Sequence, residues 1–170
     1  MSIVDKIFGK IPFAFTKNLK QGKKVAQILK LVLDVDDKSF VDVGCHKGEI
    51  LRIALRLAPR GEHYAFEAIP DYFEKLKPDY QNYVNLSNVA ITNFQGESEF
   101  NFVESNPRLS GFRKRDYPKS EKIVTIKVPT NLLDNLLKDA VSIDLIRIDV
   151  EGGERDVLDG AKRIIFKHKP

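Results

Sequence analysis

Apolar positions along the chain follow two alternating periods, and the alternation predicts an α/β protein. Val25, Ile28, Leu29, Val32 and Leu33 recur at spacings of three and four, which marks an amphipathic helix. A polar turn at 34–38 breaks it. The run 39–43 (Ser-Phe-Val-Asp-Val) suits a strand buried on both faces, as in a parallel sheet. A second helical pattern over 49–57 follows at once and is stopped by Pro59 and Gly61. Strands are expected at 63–66 and 83–86, around a short helix at 72–77 that Pro78 should end.

The rhythm changes after Ile91. Phe100 and Phe102 alternate with polar neighbours, as in a half-buried strand, and 123–128 is rich in β-branched residues. These two segments are expected to pair as an antiparallel ribbon or to extend the sheet edge. Leu132, Leu133, Leu136 and Leu137 predict a short helix with Thr130 as its N-cap. A fourth strand of the main sheet is expected at 143–150. Val157, Leu158, Ala161, Ile164 and Ile165 predict one final amphipathic helix. The sum is an open, doubly wound, mostly parallel sheet with an added β-ribbon. A helical lead-in, 1–38, is expected to precede one domain, 39–170. Right-handed crossovers put the carboxyl ends of the main strands on one edge, where ligands bind.

Composition agrees with that picture. The 170 residues are 42% hydrophobic and 31% charged, as in a folded globular chain. Cys45 is the single cysteine, which excludes an internal disulfide framework and a Cys-based zinc site. No apolar run approaches the roughly 20 residues that cross a bilayer. The apolar stretch 11–15 is too short for a signal peptide and contains Pro12. A cytoplasmic protein with no membrane partner is expected. The net charge of +4 is concentrated in two places: six lysines and no acid from Lys6 to Lys24, and six bases against three acids over 104–122. Neither interleaves aromatics with arginines as an RNA platform does, so nucleic acid is disfavoured and solvated surface is the plainer reading.

The candidate chemistry starts at the end of the first strand. Asp42, Gly44 and Gly48 form a D-x-G-x-x-x-G corner between strand and helix. Glycine permits the sharp turn and close approach of a ligand to the backbone, and the opening N–H groups of the helix point outward. The pattern is not the G-x-G-x-x-G cradle of dinucleotide enzymes. It recurs in enzymes that bind S-adenosylmethionine. Cys45 and His46 lie inside the corner and count among its cofactor-binding positions, although a small packed cysteine and an incidental loop histidine are the plainer readings.

Other strand ends add to the site. Glu67 lies 25 residues after Asp42 and can accept hydrogen bonds from both ribose hydroxyls. Ala68 and Ile69 can pack on an adenine face, and Asn88 and Val89 can meet its edge. Asp42 either reaches the amino group of a methionine moiety through water or fixes the turn. Asp149 and Glu151 end the fourth strand, where a reactive methyl group would lie. Transfer to a hydroxyl needs positioning and a base, for which Asp149 is the first candidate and Glu151 the second. Glu154 is read as favouring a helix N-terminus. No metal site is expected.

The ordered blocks F-V-D-V-G-C-H-K-G-E, Y-A-F-E-A-I-P, N-V-A-I-T-N-F-Q-G-E-S-E-F, V-P-T-N-L-L-D-N-L-L and I-D-L-I-R-I-D-V-E-G-G-E-R-D-V-L-D-G-A resemble the FkbM-type methyltransferases. The last block is the most specific. The resemblance covers about residues 39–170. It implies a class I methyltransferase Rossmann-like fold, S-adenosylmethionine as methyl donor, and O-methylation of a small molecule or sugar. By position, Asp42, Gly44 and Gly48 match the family's cofactor corner, Glu67 its ribose acid, and Asp149 and Glu151 its strand-four acids. Cys45-His46 departs from the Ala-Asn common there. Family members also commonly continue past a Lys-Pro such as Lys169-Pro170 into a further strand. Two alternatives follow, a compact variant or a sheet whose C-terminal strands lie beyond this chain.

A different class of function stays open at this point: a non-catalytic Rossmann-like module that binds a partner, even RNA, through the basic loop. The acceptor determinants are expected in that loop, with 110–112 as its hinge and tip. Oligomeric state has no readable signal.

Overall fold

The computed structural model describes residues 18–113 and 120–170. The lysine-rich stretch ahead of residue 18 and the centre of the basic loop, 114–119, lie outside the described residues. The described residues open with α1 (Asn18–Val32), then β1 (Phe40–Val43), α2 (Glu49–Leu57), β2 (Tyr64–Phe66), α3 (Pro70–Tyr80) and β3 (Asn85–Ser87). Three strands of a separate small sheet follow: β4 (Ala90–Ile91), β5 (Gly96–Val103) and β6 (Ile123–Asn131). A short α4 (Leu133–Leu136), β7 (Leu145–Ile148), α5 (Glu154–Asp159) and α6 (Lys162–His168) complete it.

The main sheet has the order β3-β2-β1-β7, and every neighbouring pair is parallel. Alternation along β1 explains why both faces need cover. Phe40, with Ala65 of β2, faces Leu29, Leu51, Ala54, Leu76 and Tyr80 of α1–α3, and Leu33 just after α1. Val41 and Val43, with Tyr64 and Phe66, face Leu133, Val157 and Ile164 of α4–α6, and Ala161 between the last two helices. The sheet is doubly wound, as its strand–helix rhythm predicts. Asp42 shares the parity of Phe40 and is wholly buried, as is the whole of β1. That carboxylate needs a partner, and the register supplies one, because Asp42 lies opposite Arg147 of β7.

The predicted ribbon is present as a small sheet of its own. β5 and β6 pair antiparallel from Gly96 opposite Thr130 to Val103 opposite Ile123, and β4 adds to β6 in parallel. Phe100 and Val128 form its buried side, together with Ile69 and Ala90. This packs the ribbon over the carboxyl edge of the main sheet.

Four local expectations are corrected. Helix α3 runs through Pro78 to Tyr80, because Tyr80 is buried and its hydroxyl donates to the carbonyl of Gly48 at 3.1 Å; tertiary contact outweighs the missing N–H. Strand β3 begins at Asn85 and not at residue 83, which lies in the turn after α3. Thr130 is not an N-cap: it is a buried residue of β6, and Asn131 Oδ1 accepts from the Leu132 N–H at 2.9 Å instead. The final helix is two helices, α5 and α6, which part at Gly160. A Cβ there would lie 2.1 Å from the Thr92 carbonyl oxygen, so the chain bends where the ribbon side approaches it.

Candidate functional site

The carboxyl ends of β1, β2 and β7 open into a cleft of about 490 Å³, within the size range of small-molecule sites. Gly44, Cys45, His46, Glu67, Ala68, Ile69, Val89, Asp149 and Glu151 all line it. Asp42, Gly48 and Asn88 stand behind its wall. The ribbon closes the cleft with Phe100 and, from the segment that follows it, Ser110 and Phe112.

The glycine corner is built by backbone constraints. Gly44 has φ +82, and its N–H and that of Cys45 both donate to the Phe66 carbonyl, at 2.9 and 3.2 Å. A Cβ at residue 44 would lie 2.2 Å from the carbonyl oxygen of Asp149. The turn can therefore pass against β7 only as glycine. Gly48 has φ +70 and would put a Cβ 2.9 Å from the Tyr80 ring. Between them, His46 also has positive φ, and its ring packs on Tyr72 at 4.6 Å.

Glu67 is the centre of the β2 end. Its side chain is nearly inaccessible, and its oxygens accept from two backbone N–H groups, His46 at 2.8 Å and Ile69 at 2.9 Å. Burial pushes its carboxyl above the usual range, and those two N–H groups oppose the shift. Each oxygen keeps a second lone pair. Asn88 uses its amide differently from the adenine-edge role expected of it. Nδ2 donates to the Glu67 carbonyl at 2.7 Å and to the Ala68 carbonyl at 3.2 Å, which braces the loop that carries the acid.

The β7 end is polar and more open. Arg147 was missed as a site residue. Its Nη1 donates to Asp42 Oδ1 at 2.7 Å, and its Nη2 makes a close ion pair with Asp149. The signal was legible: one arginine interrupts an apolar strand beside another strand interrupted by one aspartate. Burial opposes the charge on Arg147, but Asp42 and Asp149 outweigh it and raise its pKa. Burial pushes Asp42 upward, and Arg147 counters part of that shift. One oxygen of Asp149, the first candidate base, is thus already engaged. Glu151 sits at φ +52 ahead of Gly152 at φ +98, an unusual turn for a side chain to occupy. Among the described residues, no three His, Cys, Asp or Glu side chains gather closely enough to hold a metal ion. No helix among them is long and apolar enough to cross a membrane.

The segment expected to hinge over the site is pinned to it. Asn101 and Gly111 exchange two backbone hydrogen bonds, at 3.0 and 3.1 Å, and Asn101 Nδ2 donates to the Gly111 and Phe112 carbonyls. Ser110 is buried, and its Oγ accepts from the Val103 N–H at 3.0 Å. Phe112 meets Phe100 edge to face at 5.4 Å.

A parallel sheet of order β3-β2-β1-β7, with a glycine corner after β1 and acids ending β2 and β7, is a Rossmann-like nucleotide-binding arrangement. The chain matches the methyltransferase FkbM domain family over residues 42–170 and belongs to that family of S-adenosylmethionine-dependent methyltransferases. It is 28% identical over 167 residues to the 2-O-methyltransferase NoeI of Sinorhizobium fredii (strain NBRC 101917 / NGR234), covering 89% of this chain and 67% of that protein. Among solved structures, it is similar to a precorrin-6y C5,15-methyltransferase from Geobacter metallireducens GS-15, with TM-score 0.44 and 19% identity over 89% of this chain and 61% of that one. It is also similar to an S-adenosylmethionine-dependent O-methyltransferase from Thermotoga maritima, with TM-score 0.34 and 10% identity over 76% and 71% of the two chains. The chain thus spans about two thirds of NoeI and rather less of the precorrin enzyme.

Proposed function

We propose that this chain transfers a methyl group from S-adenosylmethionine to a hydroxyl of a small molecule or a sugar. One observation carries the reading: a single cleft joins a glycine turn, a buried carboxylate and a strained acidic turn. The residues fit the cofactor. The cleft has room for it, and Gly44, Cys45 and His46 present the turn after β1 along its wall. Glu67 would hold the ribose hydroxyls through the lone pairs its backbone partners leave open. Ala68, Ile69 and Val89 would form the walls around the adenine, with Asn88 bracing them. Gly44, Cys45 and His46 would lie along the methionine part, with Gly48 shaping the turn from behind and Asp42 holding it from below.

When bound, S-adenosylmethionine supplies an electrophilic methyl group. The protein's task is to align an acceptor oxygen and remove its proton. We assign this to Asp149 and Glu151 at the β7 end, which line the cleft. NoeI is a 2-O-methyltransferase by name, and its kinship supports oxygen as the acceptor atom. The segment 110–112 and Phe100 would face the acceptor. Calorimetry with S-adenosylhomocysteine tests the reading. Binding at a single site is expected, and a folded sample that takes up none, with or without a divalent cation, would refute it.

A further inference from the structure

The Asp42–Arg147–Asp149 chain runs from the core to the cleft. The side chain of Asp42 is 0% exposed, that of Arg147 22%, and that of Asp149 52%. Strand geometry dictates the line. Asp42 and Arg147 are cross-strand partners, and Asp149, one residue past β7, continues the ladder by donating its N–H to the Val43 carbonyl at 3.0 Å, so its side chain returns to the face of Arg147. The guanidinium is held from beneath by a wholly buried carboxylate. Its Nη1 also lies 3.4 Å from the carbonyl oxygen of Gly44, at the turn where a ligand meets backbone. Asp42 Oδ2 is buried and has no hydrogen-bond partner among the described residues, so the pairing with Arg147 is the main compensation for that buried charge.

We propose that Arg147 is a positioning residue for the cofactor. Its planar fork ties the buried acid of β1 to the cleft-facing acid of β7. This holds the Asp149 carboxylate in one orientation at the rim as a fixed anion for the cationic end of the ligand. Arginine suits this task because one rigid fork can grip two carboxylates, whereas a lysine presents a single mobile point charge. The proposal rests on the methyl-donor reading of the cleft, and it assigns Asp149 a binding role carried through Arg147.

The test is a double-mutant cycle read by calorimetric binding of S-adenosylhomocysteine to wild type, Arg147→Lys, Asp149→Asn and the combined variant. Arg147→Lys keeps a cation opposite Asp42 and is expected to fold. Each single change should weaken binding about tenfold, as the loss of one charge-assisted contact does. The combined variant should bind no more than about twofold more weakly than Asp149→Asn alone, because the arginine acts through that aspartate. A purely structural arginine would lower the melting temperature and leave the affinity unchanged, or would give penalties that multiply; either result overturns the proposal. If Arg147→Lys does not fold, Asp42→Asn with Arg147→Gln removes both buried charges together and serves as the background for the same cycle. Wild type that binds no S-adenosylhomocysteine would instead overturn the methyl-donor reading itself.

Discussion

The β2 end of the cleft and the β7 end are built on opposite plans. At the β2 end, a nearly inaccessible Glu67 takes two backbone N–H groups, Asn88 braces the carbonyls of Glu67 and Ala68, and Ile69 is buried in the ribbon's core. At the β7 end, Asp149 is half exposed and held by a side chain, and Glu151 occupies a left-handed turn. A rigid end held by backbone hydrogen bonds suits a ligand part that never varies. A partly exposed end held by side chains suits the place where an acceptor enters and a proton moves. The difference teaches that turnover should depend on the β7 end, whereas cofactor affinity should draw on both ends, through Glu67 at one and the Arg147–Asp149 pair at the other.

The largest effect is expected where the two ends meet. Gly44→Ala places a Cβ 2.2 Å from the Asp149 carbonyl at φ +82, a clash and a strained backbone at once. It should cost about 3 kcal/mol or more of stability, read as a drop in the denaturant midpoint. A variant as stable as wild type would mean that the corner does not press on β7. Next, Glu67→Ala should weaken S-adenosylhomocysteine binding about 100-fold, and His46→Ala only about threefold. Equal effects in calorimetry would mean that the ribose is not at Glu67.

Glu151→Gly probes the β7 end and should give a smaller effect of opposite sign. Glycine removes a left-handed strain of about 1–2 kcal/mol and adds about 0.5–1 kcal/mol of chain entropy to the unfolded state. The melting temperature should stay level or rise slightly while methyl transfer is lost. A clear fall in stability would show that Glu151 is there for the fold.

The smallest effect is a pH dependence at the β2 end. The folded-state pKa of Glu67 is raised by burial, so the folded protein keeps a proton there that the unfolded chain has released. Stability from this group is full below the ordinary glutamate value of 4.5 and is lost as pH rises through the folded value. Wild type should therefore lose stability over that window relative to Glu67→Gln. Parallel pH–stability curves for the two proteins would contradict the assigned burial.

The glycine corner, the acid ending β2 and the paired acids ending β7 were legible because each follows a short run of fixed period. Glycines at positive φ and carboxylates at strand ends are local signals. What escaped reading depends on contacts between distant segments. The Asp42–Arg147 pair is set by the register of two strands 105 residues apart. The course of α3 through Pro78 depends on Tyr80 reaching Gly48. The break at Gly160 depends on Thr92. Asn88 looked like a ligand group because its type suits one, yet its amide is used by the loop of Glu67.

The most direct test of the account is a crystal structure with S-adenosylhomocysteine bound. The account predicts the ribose hydroxyls within hydrogen-bond distance of Glu67, the methionine part along Gly44, and the sulfur facing the Asp149–Glu151 turn. A ligand lying the other way along the cleft, or outside it, would contradict the assignment of the two ends.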